Sequence, residues 1–415
     1  VSSPDSSSAV ERKAMTTEHP SPAVVAVVGT GLAGLSSARA LRELGFTGRI
    51  VLIGDEKHEP YDRPPLSKAF LAGEWDPSKI ALGLPTDAGL DLDWQLGRRA
   101  VGLRADGAGP GWLVELEGGD SVRADGVVIA TGARARSLPG VKLDGVHTLR
   151  TLDDALALKA ELVPGARLVI VGGGFIGAEI ASTAVTLGVD VTLVEVAPVL
   201  LAGPLGAEAG AALSRLHASH GVGVLAGVGV SALGEGSPGR VGSVSLADGR
   251  SLLADVVVVG IGSEPNVEWL GGSGLELDGG VLTDEAGRTS LDGVVATGDC
   301  TAMHHPFAGK IMRQEHWTHA AQHPAQAVAA LIGVPAPAVA PAMRVPYVWS
   351  EQYGKHFQFA GHHQPGDAVE VVDGDLDGEA FTVVYRRDGE PVGVFGVGQP
   401  KVFGRWRREL AKRLA

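Results

Sequence analysis

Gly29, Gly31 and Gly34, followed by Asp55 and Glu56, carry the first chemistry this chain can do. In VVAVVGTGLAGLSSARALRELGFTGRIVLIGDE, Val24 to Glu56, an apolar run meets three glycines, a helical stretch and a second apolar run ending in acid. The first glycine permits a tight turn, the second lets backbone approach a pyrophosphate, and the third lets the helix pack close to the strand, with the phosphate at the helix N-terminus. A carboxylate after the second strand can hold a ribose hydroxyl. GxGxxG alone can equally be a structural turn, and the strand and helix around it set this one apart. The unit recurs from Arg167 to Glu195, with Gly172, Gly174 and Gly177 in the same phase. Two units predict two dinucleotides, and two dinucleotides held close in one chain predict a flavoprotein that passes hydride between NAD(P)H and FAD. Glu195 can accept from both hydroxyls of an adenosine ribose. A 2'-phosphate would meet its charge, and Val196 and Ala197 offer no arginine to neutralise it, so NADH is expected over NADPH.

The elements that position these residues follow from composition and pattern. The 415 residues are enough for roughly two to four domains, and 45% hydrophobic content suits buried parallel sheets whose strands read as runs such as VVAVVG and VVVVG. The expected fold is α/β, with two Rossmann-like dinucleotide-binding domains, for FAD and NAD, and a C-terminal α+β domain. Residues 1–21, rich in Ser and charge, read as a disordered leader, with Met15 a candidate start. The first dinucleotide domain takes 22–150, the second is inserted at 151–270, the first resumes at 271–334, and 335–415 follows, opening on the proline-rich linker PAPAVAP. Trp94 to Val128 read as an antiparallel excursion from the first sheet. The net charge of −13 argues against nucleic-acid partners. No apolar run reaches the about 18 residues of a membrane helix. One cysteine, Cys300, rules out an intrachain disulfide framework and suits a reducing cytoplasm.

Outside the two units, HEPYDRPPLSKAFLAGE forms a stiff loop in which Pro64 and Pro65 precede a helix starting near Leu66, and Lys68 is its one cation toward the helix. On residue type alone Lys68 can be a solvated surface lysine. MRQEHWTHAAQHPAQAVAALIG reads as a helix, with a bend expected at Pro324, which costs a hydrogen bond to Ala320. His316, His319 and His323 have helical spacing, but HAAQH lacks the glutamate that zinc proteases place after the first histidine, so no metal is expected. His304 and His305 read as loop. The tail KVFGRWRRELAKRLA puts Phe403, Trp406, Leu410 and Leu414 at helical spacing beside Lys401, Arg405, Arg407, Arg408, Lys412 and Arg413. That pattern fits either a docking surface for an acidic protein or a packed helix with a solvated basic face.

PYDRPPLSK following GDE, together with GGGFIGAE, ATGDC, QEHWTHA and WSEQYG in that order, resembles the NADH-dependent ferredoxin and rubredoxin reductases that serve bacterial oxygenases. The resemblance runs from about Val24 to near the C-terminus. It implies a catalytic pair, Lys68 near the flavin N5 edge and Glu179 as its counter-ion, where a cation favours negative charge on the ring and a carboxylate moderates it. It also implies cofactor contacts from Gly29, Gly31, Leu32, Ala33, Gly34, Asp55, Glu56, Arg63, Pro64, Val101, Thr131, Gly132 and Arg150. In the second half of the chain the implied contacts are Gly172, Gly174, Phe175, Ile176, Gly177, Glu195, Gly262, Gly298, Asp299, Glu315, His316 and Trp317. Read without the resemblance, Glu179 can be a solvated helix carboxylate, Arg150 a charge cap, Asp299 a turn residue and Trp317 core. The implied cofactors are FAD and NADH, and the implied partner is a ferredoxin-type iron-sulfur protein feeding a cytochrome P450 or a ring-hydroxylating dioxygenase. The chain is expected to be a cytoplasmic monomer or weak dimer. A sensor protein like apoptosis-inducing factor, or a diaphorase or NADH oxidase, are the alternatives.

Overall fold

The computed structural model describes residues 22–414, so the leader of residues 1–21 lies outside the described residues. The strand Val24–Val28 is the centre of a five-stranded parallel sheet, ordered Val294–Ala296, Gly126–Ile129, Val24–Val28, Arg49–Gly54, Leu92–Leu96. Its inner strands Gly126–Ile129, Val24–Val28 and residues 50–54 are apolar and largely buried because both faces are covered, whereas the edge strand Leu92–Leu96 carries Asp93 and Gln95. The helices Leu32–Glu43 and Trp317–Ile332 pack on one face through Ala38, Leu41, Ala327 and Val328. The antiparallel sheet Ala100–Ala105, Trp112–Leu116, Ser121–Ala124 covers the other through Leu103, Val114 and Leu116. The excursion is thus real but begins later than expected, since Leu92–Leu96, with Trp94, extends the parallel sheet as its edge strand.

The second parallel sheet repeats the plan, ordered Gly223–Ala226, Asp190–Glu195, Arg167–Val171, Val256–Val259, Val146–His147. Leu152–Glu161 and Phe175–Thr186 lie on one face and the antiparallel strands Val230–Ser237, Arg240–Leu246 and Ser251–Leu253 on the other. Its edge strand Val146–His147 precedes the 150/151 boundary read from the sequence, because Val257 and Val258 recruit it into parallel pairing. The chain leaves and re-enters the first unit through a two-stranded antiparallel ribbon, Ala133–Ala135 against Ser263–Pro265.

Beyond Pro341 a five-stranded antiparallel sheet runs Tyr347–Gln352, Lys355–Gly361, Glu390–Val397, Phe381–Arg387, Ala368–Gly374. Phe357, Phe381, Tyr385 and Phe395 bury one face against the helical segment Ala202–Ser219 of the second unit, which is kinked at Gly206. Val384, Val394 and Ala360 bury the other against Phe403 and Leu410 of the terminal helix Pro400–Ala411. The apolar side of the tail is therefore core.

Three local expectations change. Pro64 and Pro65 open only a short 3-10 turn, Pro64–Ser67. His304 and His305 lie in the strand Thr301–His305, paired with Lys310–Arg313, which also removes Met312 and Arg313 from the helix that follows. That helix starts only at Trp317, later than the sequence suggests, and extends to Ile332 with Pro324 buried inside it.

Candidate functional site

Both glycine turns are cradles of the same design. Gly29 and Gly172 have φ of 118° and 106°, and a Cβ there would lie 2.1 Å from the Ala130 oxygen and 2.3 Å from the Gly260 oxygen, so each lets a neighbouring strand approach. Gly34 and Gly177 allow the helix to touch its own turn, where a Cβ would stand 1.8 and 2.2 Å from the Gly29 and Gly172 oxygens. Gly31 and Gly174 differ in facing open space, with only Arg63 Nη2 at 3.9 Å from Gly31. Each is the N-cap of a 12-residue helix, and neither cap makes a side-chain hydrogen bond nor has an acid in its first turn. The positive helix ends, carrying Leu32 and Ala33 in one unit and Phe175 and Ile176 in the other, are unclaimed by the protein and fit a pyrophosphate.

The units part company at the strand-end acid. Glu195 accepts from the Gly173 and Ala197 backbone N–H groups at 2.6 and 2.7 Å. The register pairs Val171 with Val194 in one unit and Val28 with Ile53 in the other, so Gly54 occupies the position of Glu195. Thr30 fills that place, 2.1 Å from where a Gly54 Cβ would be. Asp55 and Glu56 fall beyond it: Asp55 is exposed, and Glu56 accepts from Arg63 Nη2 at 2.6 Å and from the Tyr61 hydroxyl. Burial pushes the Tyr61 phenol up, and its oxygen accepts the Leu152 N–H at 2.9 Å.

Lys68 and Glu179, remote in sequence, form an ion pair of 2.6 Å with side-chain exposures of 15% and 6%. Lys68 comes from the proline turn of the first unit and Glu179 from the glycine helix of the second, so one buried pair spans both cradles. Ser67 donates to Glu179 Oε2 at 2.5 Å and Ser350, from the C-terminal sheet, to Oε1 at 2.6 Å. Beside the pair, Trp317 Nε1 donates to Asp62 Oδ1 at 2.7 Å. Burial pushes the Asp62 carboxyl up in spite of that bond and the nearby Lys68 charge. Neither Ser67, Ser350 nor Asp62 was read from sequence; Ser350 lies in the quoted WSEQYG, but only folding brings it 171 residues back to Glu179.

The remaining residues form a rim. Arg150 Nη2 bonds Asp299 Oδ2 at 2.7 Å, and Gly298, with φ of 76°, sits so close that a Cβ would be 2.9 Å from that of Ala33. Thr131 and Gly132 are tied to Asn266 at the ribbon, while Gly262, with φ of 101°, accepts the Arg136 N–H. Glu315 binds Arg313 at 2.6 Å and Ser263 across the gap. Burial pushes His316 and His319 down and His323 down to about 4, so these imidazoles are neutral near pH 7. Among the described residues no group of His, Cys, Asp and Glu is arranged to hold a metal. Val101 stands apart, exposed on the antiparallel excursion. Arg150 Nε and His316 Nδ1 are buried without partners, and with the open glycines they fit a polar ligand along this rim.

Cys300 is fully buried, its Sγ donating to the Thr297 oxygen at 3.3 Å, and burial pushes its thiol up. Such a thiol is inert. Cys300→Ser keeps the donor, so electron transfer from NADH is expected to stay within about twofold of the parent while titration with a thiol reagent shows the native thiol protected. Loss of transfer with the fold intact would assign Cys300 a redox role.

Two open glycine cradles bridged by a buried ion pair fit one class, the α/β oxidoreductases that hold two dinucleotides next to each other. Residues 23–327 match the family described as pyridine nucleotide-disulphide oxidoreductase, and residues 347–415 match the reductase C-terminal domain. The ferredoxin reductase component of chlorobenzene dioxygenase from Cupriavidus sp. (strain PS12) is 39% identical over 94% of this chain and 93% of its own. The ferredoxin–NAD(+) reductase subunit of the benzene 1,2-dioxygenase system of Pseudomonas putida is 38% identical over 94% and 92%. The reductase in the covalent putidaredoxin reductase–putidaredoxin complex superposes with a TM-score of 0.88 at 32% identity, over 94% of this chain and 93% of that one. The chain belongs to the pyridine nucleotide-disulphide oxidoreductase family and carries its reductase C-terminal domain. Membership implies binding of FAD and NAD(H). Among the described residues no helix is long and apolar enough to cross a membrane.

Proposed function

We propose that this chain is an NADH-dependent reductase of a ferredoxin-type iron-sulfur protein that supplies an oxygenase. FAD belongs to the first cradle, in 22–150 and 271–334, and NADH to the second, in 151–270. The observation that carries the reading is the Lys68–Glu179 pair, which joins the two cradles where no thiol is present; the chain's single cysteine is buried and bonded elsewhere. Bound FAD supplies the chemistry, accepting a hydride equivalent from NADH and passing electrons on singly. The chain supplies position and field. Gly31 and Gly174 admit the pyrophosphates, Arg150 and Asp299 lie along the flavin chain, and Glu195 holds the NADH ribose. Lys68, pinned by Glu179, would set a positive charge beside the flavin, and Trp317, fixed through Asp62, would pack against it. No side chain need take a proton from substrate.

The relatives named above act with ferredoxins and, in the crystal complex, with putidaredoxin, which supports the same partner class here. Rapid reduction of bound FAD by NADH, followed by cytochrome c reduction that is fast only when a ferredoxin is added, is the expected result. Equally fast electron delivery to oxygen or quinone without ferredoxin would select an oxidase or diaphorase instead.

The tail is where an acidic partner is expected to dock, and the fold sorts its cations. Arg407 lies 4.0 Å above the Tyr347 ring, Lys412 pairs with Glu409 at 2.5 Å, and Arg413 donates to the Pro391 oxygen. Lys401, Arg405 and Arg408 are exposed on the helix and form the better test. Reversing these three to Glu is expected to raise the Michaelis constant for ferredoxin about three- to tenfold at low salt, with FAD reduction by NADH unchanged. Parental ferredoxin kinetics at low ionic strength would place docking elsewhere.

A further inference from the structure

The second oxygen of Glu179 opens a hydrogen-bond chain that the Lys68 pairing does not require. Ser350 Oγ lies 2.6 Å from Glu179 Oε1, Gln352 Nε2 is 3.0 Å from Ser350 Oγ, His217 Nε2 is 3.0 Å from Gln352 Oε1, and the Tyr353 hydroxyl is 2.7 Å from His217 Nδ1. Ser350, Gln352 and His217 are 0–1% exposed, so water does not complete these groups. They come from the first strand and turn of the C-terminal sheet and from the helix Ala202–Ser219, while Glu179 belongs to the helix Phe175–Thr186.

The direction of every link is fixed from the carboxylate outward. Glu179, paired with Lys68, only accepts, so the single Ser350 proton points at it. Ser350 must then receive from Gln352, which sets the amide nitrogen toward Ser350 and the oxygen toward His217. That oxygen needs a donor, so His217 carries its proton on Nε2 and leaves Nδ1 to accept from Tyr353. A turned amide would set two acceptors face to face beside Ser350. Burial pushes His217 down to about 4, which preserves the neutral imidazole this arrangement needs. Aligned donors of this kind strengthen one another.

The far end is held by strain. Tyr353 and Gly354 form the two-residue turn between Gln352 and Lys355, with φ of 53° and 70°. Such turns favour Asn-Gly, and a tyrosine in the left-handed region is unusual and costly. Three contacts hold it: its N–H donates to Ser182 Oγ at 2.7 Å, its hydroxyl meets His217, and its ring stacks 3.9 Å from that of His220.

We propose that Ser350, Gln352, His217 and Tyr353 are positioning residues for the hydride-transfer centre, forming a buried one-directional hydrogen-bond chain that locks the Glu179 carboxylate onto Lys68. The chain makes the geometry at the flavin edge depend on the docking of the C-terminal domain. It rests on the proposed reading of Lys68 and Glu179 as the flavin-facing pair, and the variants below separate the two.

The test uses purified holoenzyme of Ser350→Ala, Gln352→Leu, the double variant and Glu179→Gln. Three quantities are measured: the rate of FAD reduction at saturating NADH, the NADH dissociation constant, and the midpoint potential of bound flavin by dye equilibration. Each single variant of the chain is expected to slow reduction roughly three- to tenfold, the size of one lost buried hydrogen bond, with NADH affinity unchanged. The potential moves to more positive values as Lys68 loses its fixed counter-charge. The double variant is expected to be no slower than the worse single, because both act through one carboxylate. Multiplying effects, or an unmoved potential and rate, overturn the inference. If Glu179→Gln itself leaves rate and potential at parental values, the reading of the ion pair fails; if it changes both while the chain variants do not, only the chain inference fails. Should Ser350→Ala lose its flavin, Gln352→Leu and His217→Leu form the same cycle one link further out.

Discussion

Lys68→Met is expected to slow reduction of bound FAD by NADH about a hundredfold, the usual effect of removing one preorganised charge or donor from a reacting centre. Methionine matches the lysine stem in length and removes the charge. The variant has a second consequence, because Glu179 is almost fully buried and would be left without its partner. Breaking a buried pair from one side costs about 3–5 kcal/mol, here toward the lower value since Ser67 and Ser350 still donate to the carboxylate. A fall in both rate and thermal midpoint would not by itself distinguish chemistry from stability. Adding Glu179→Gln does so. Lys68→Met/Glu179→Gln carries no buried charge and retains an oxygen for Ser350, so the thermal midpoint is expected to recover most of the loss while the rate stays about a hundredfold down. Recovery of both would make the pair a structural strut, and the proposed place of the flavin edge would move.

The two glycine units were legible because their signal is local: three glycines in fixed phase, an apolar strand before them and a helix after, all within one segment. Their difference was not. Gly54 stands where Glu195 stands in the second unit, and Thr30 where Gly173 stands, so a large and a small residue have exchanged places across the turn. One unit keeps its acid at the strand end, and the other moves its acids one and two residues on, where Arg63 and Tyr61 claim Glu56. Only strand register reveals this. His304 and His305 read as loop because two histidines carry no strand pattern, yet pairing with Lys310 and Ile311 makes them one. The Lys68–Glu179 pair came from resemblance, since a lysine after two prolines and a glutamate on a helix have no local mark of partnership. Ser350, Gln352 and His217 had even less: their roles depend on a sheet and a helix meeting from distant parts of the chain. The tail was undecided between core and cations, and the fold divides it, burying Phe403 and Leu410 and leaving Lys401, Arg405 and Arg408 outward.

Glu195→Ala combined with Val196→Arg is expected to turn cofactor preference from NADH toward NADPH, lowering the ratio of their kcat/KM values by on the order of 10². Each Glu195 oxygen already accepts one backbone N–H, from Gly173 and from Ala197, and each retains a lone pair for a ribose hydroxyl. Two hydroxyls can be satisfied there. A 2'-phosphate cannot, because it brings negative charge against the carboxylate and has no proton to donate near neutral pH. Removing the carboxylate reverses both conditions: the repulsion goes, and the Gly173 N–H, at the entrance of the second glycine turn, is released to face the phosphate. Val196 is 74% exposed, so an arginine there displaces no packed side chain and can form the bidentate contact that phosphate favours. Val196→Arg alone is expected to help little, since its guanidinium would pair with Glu195. The cost falls on the turn, which loses two backbone acceptors, so a modest fall in NADH efficiency accompanies the switch. A parent enzyme that already uses NADPH as efficiently as NADH would show that Glu195 does not read the ribose, and that the second cradle selects its dinucleotide by some other contact.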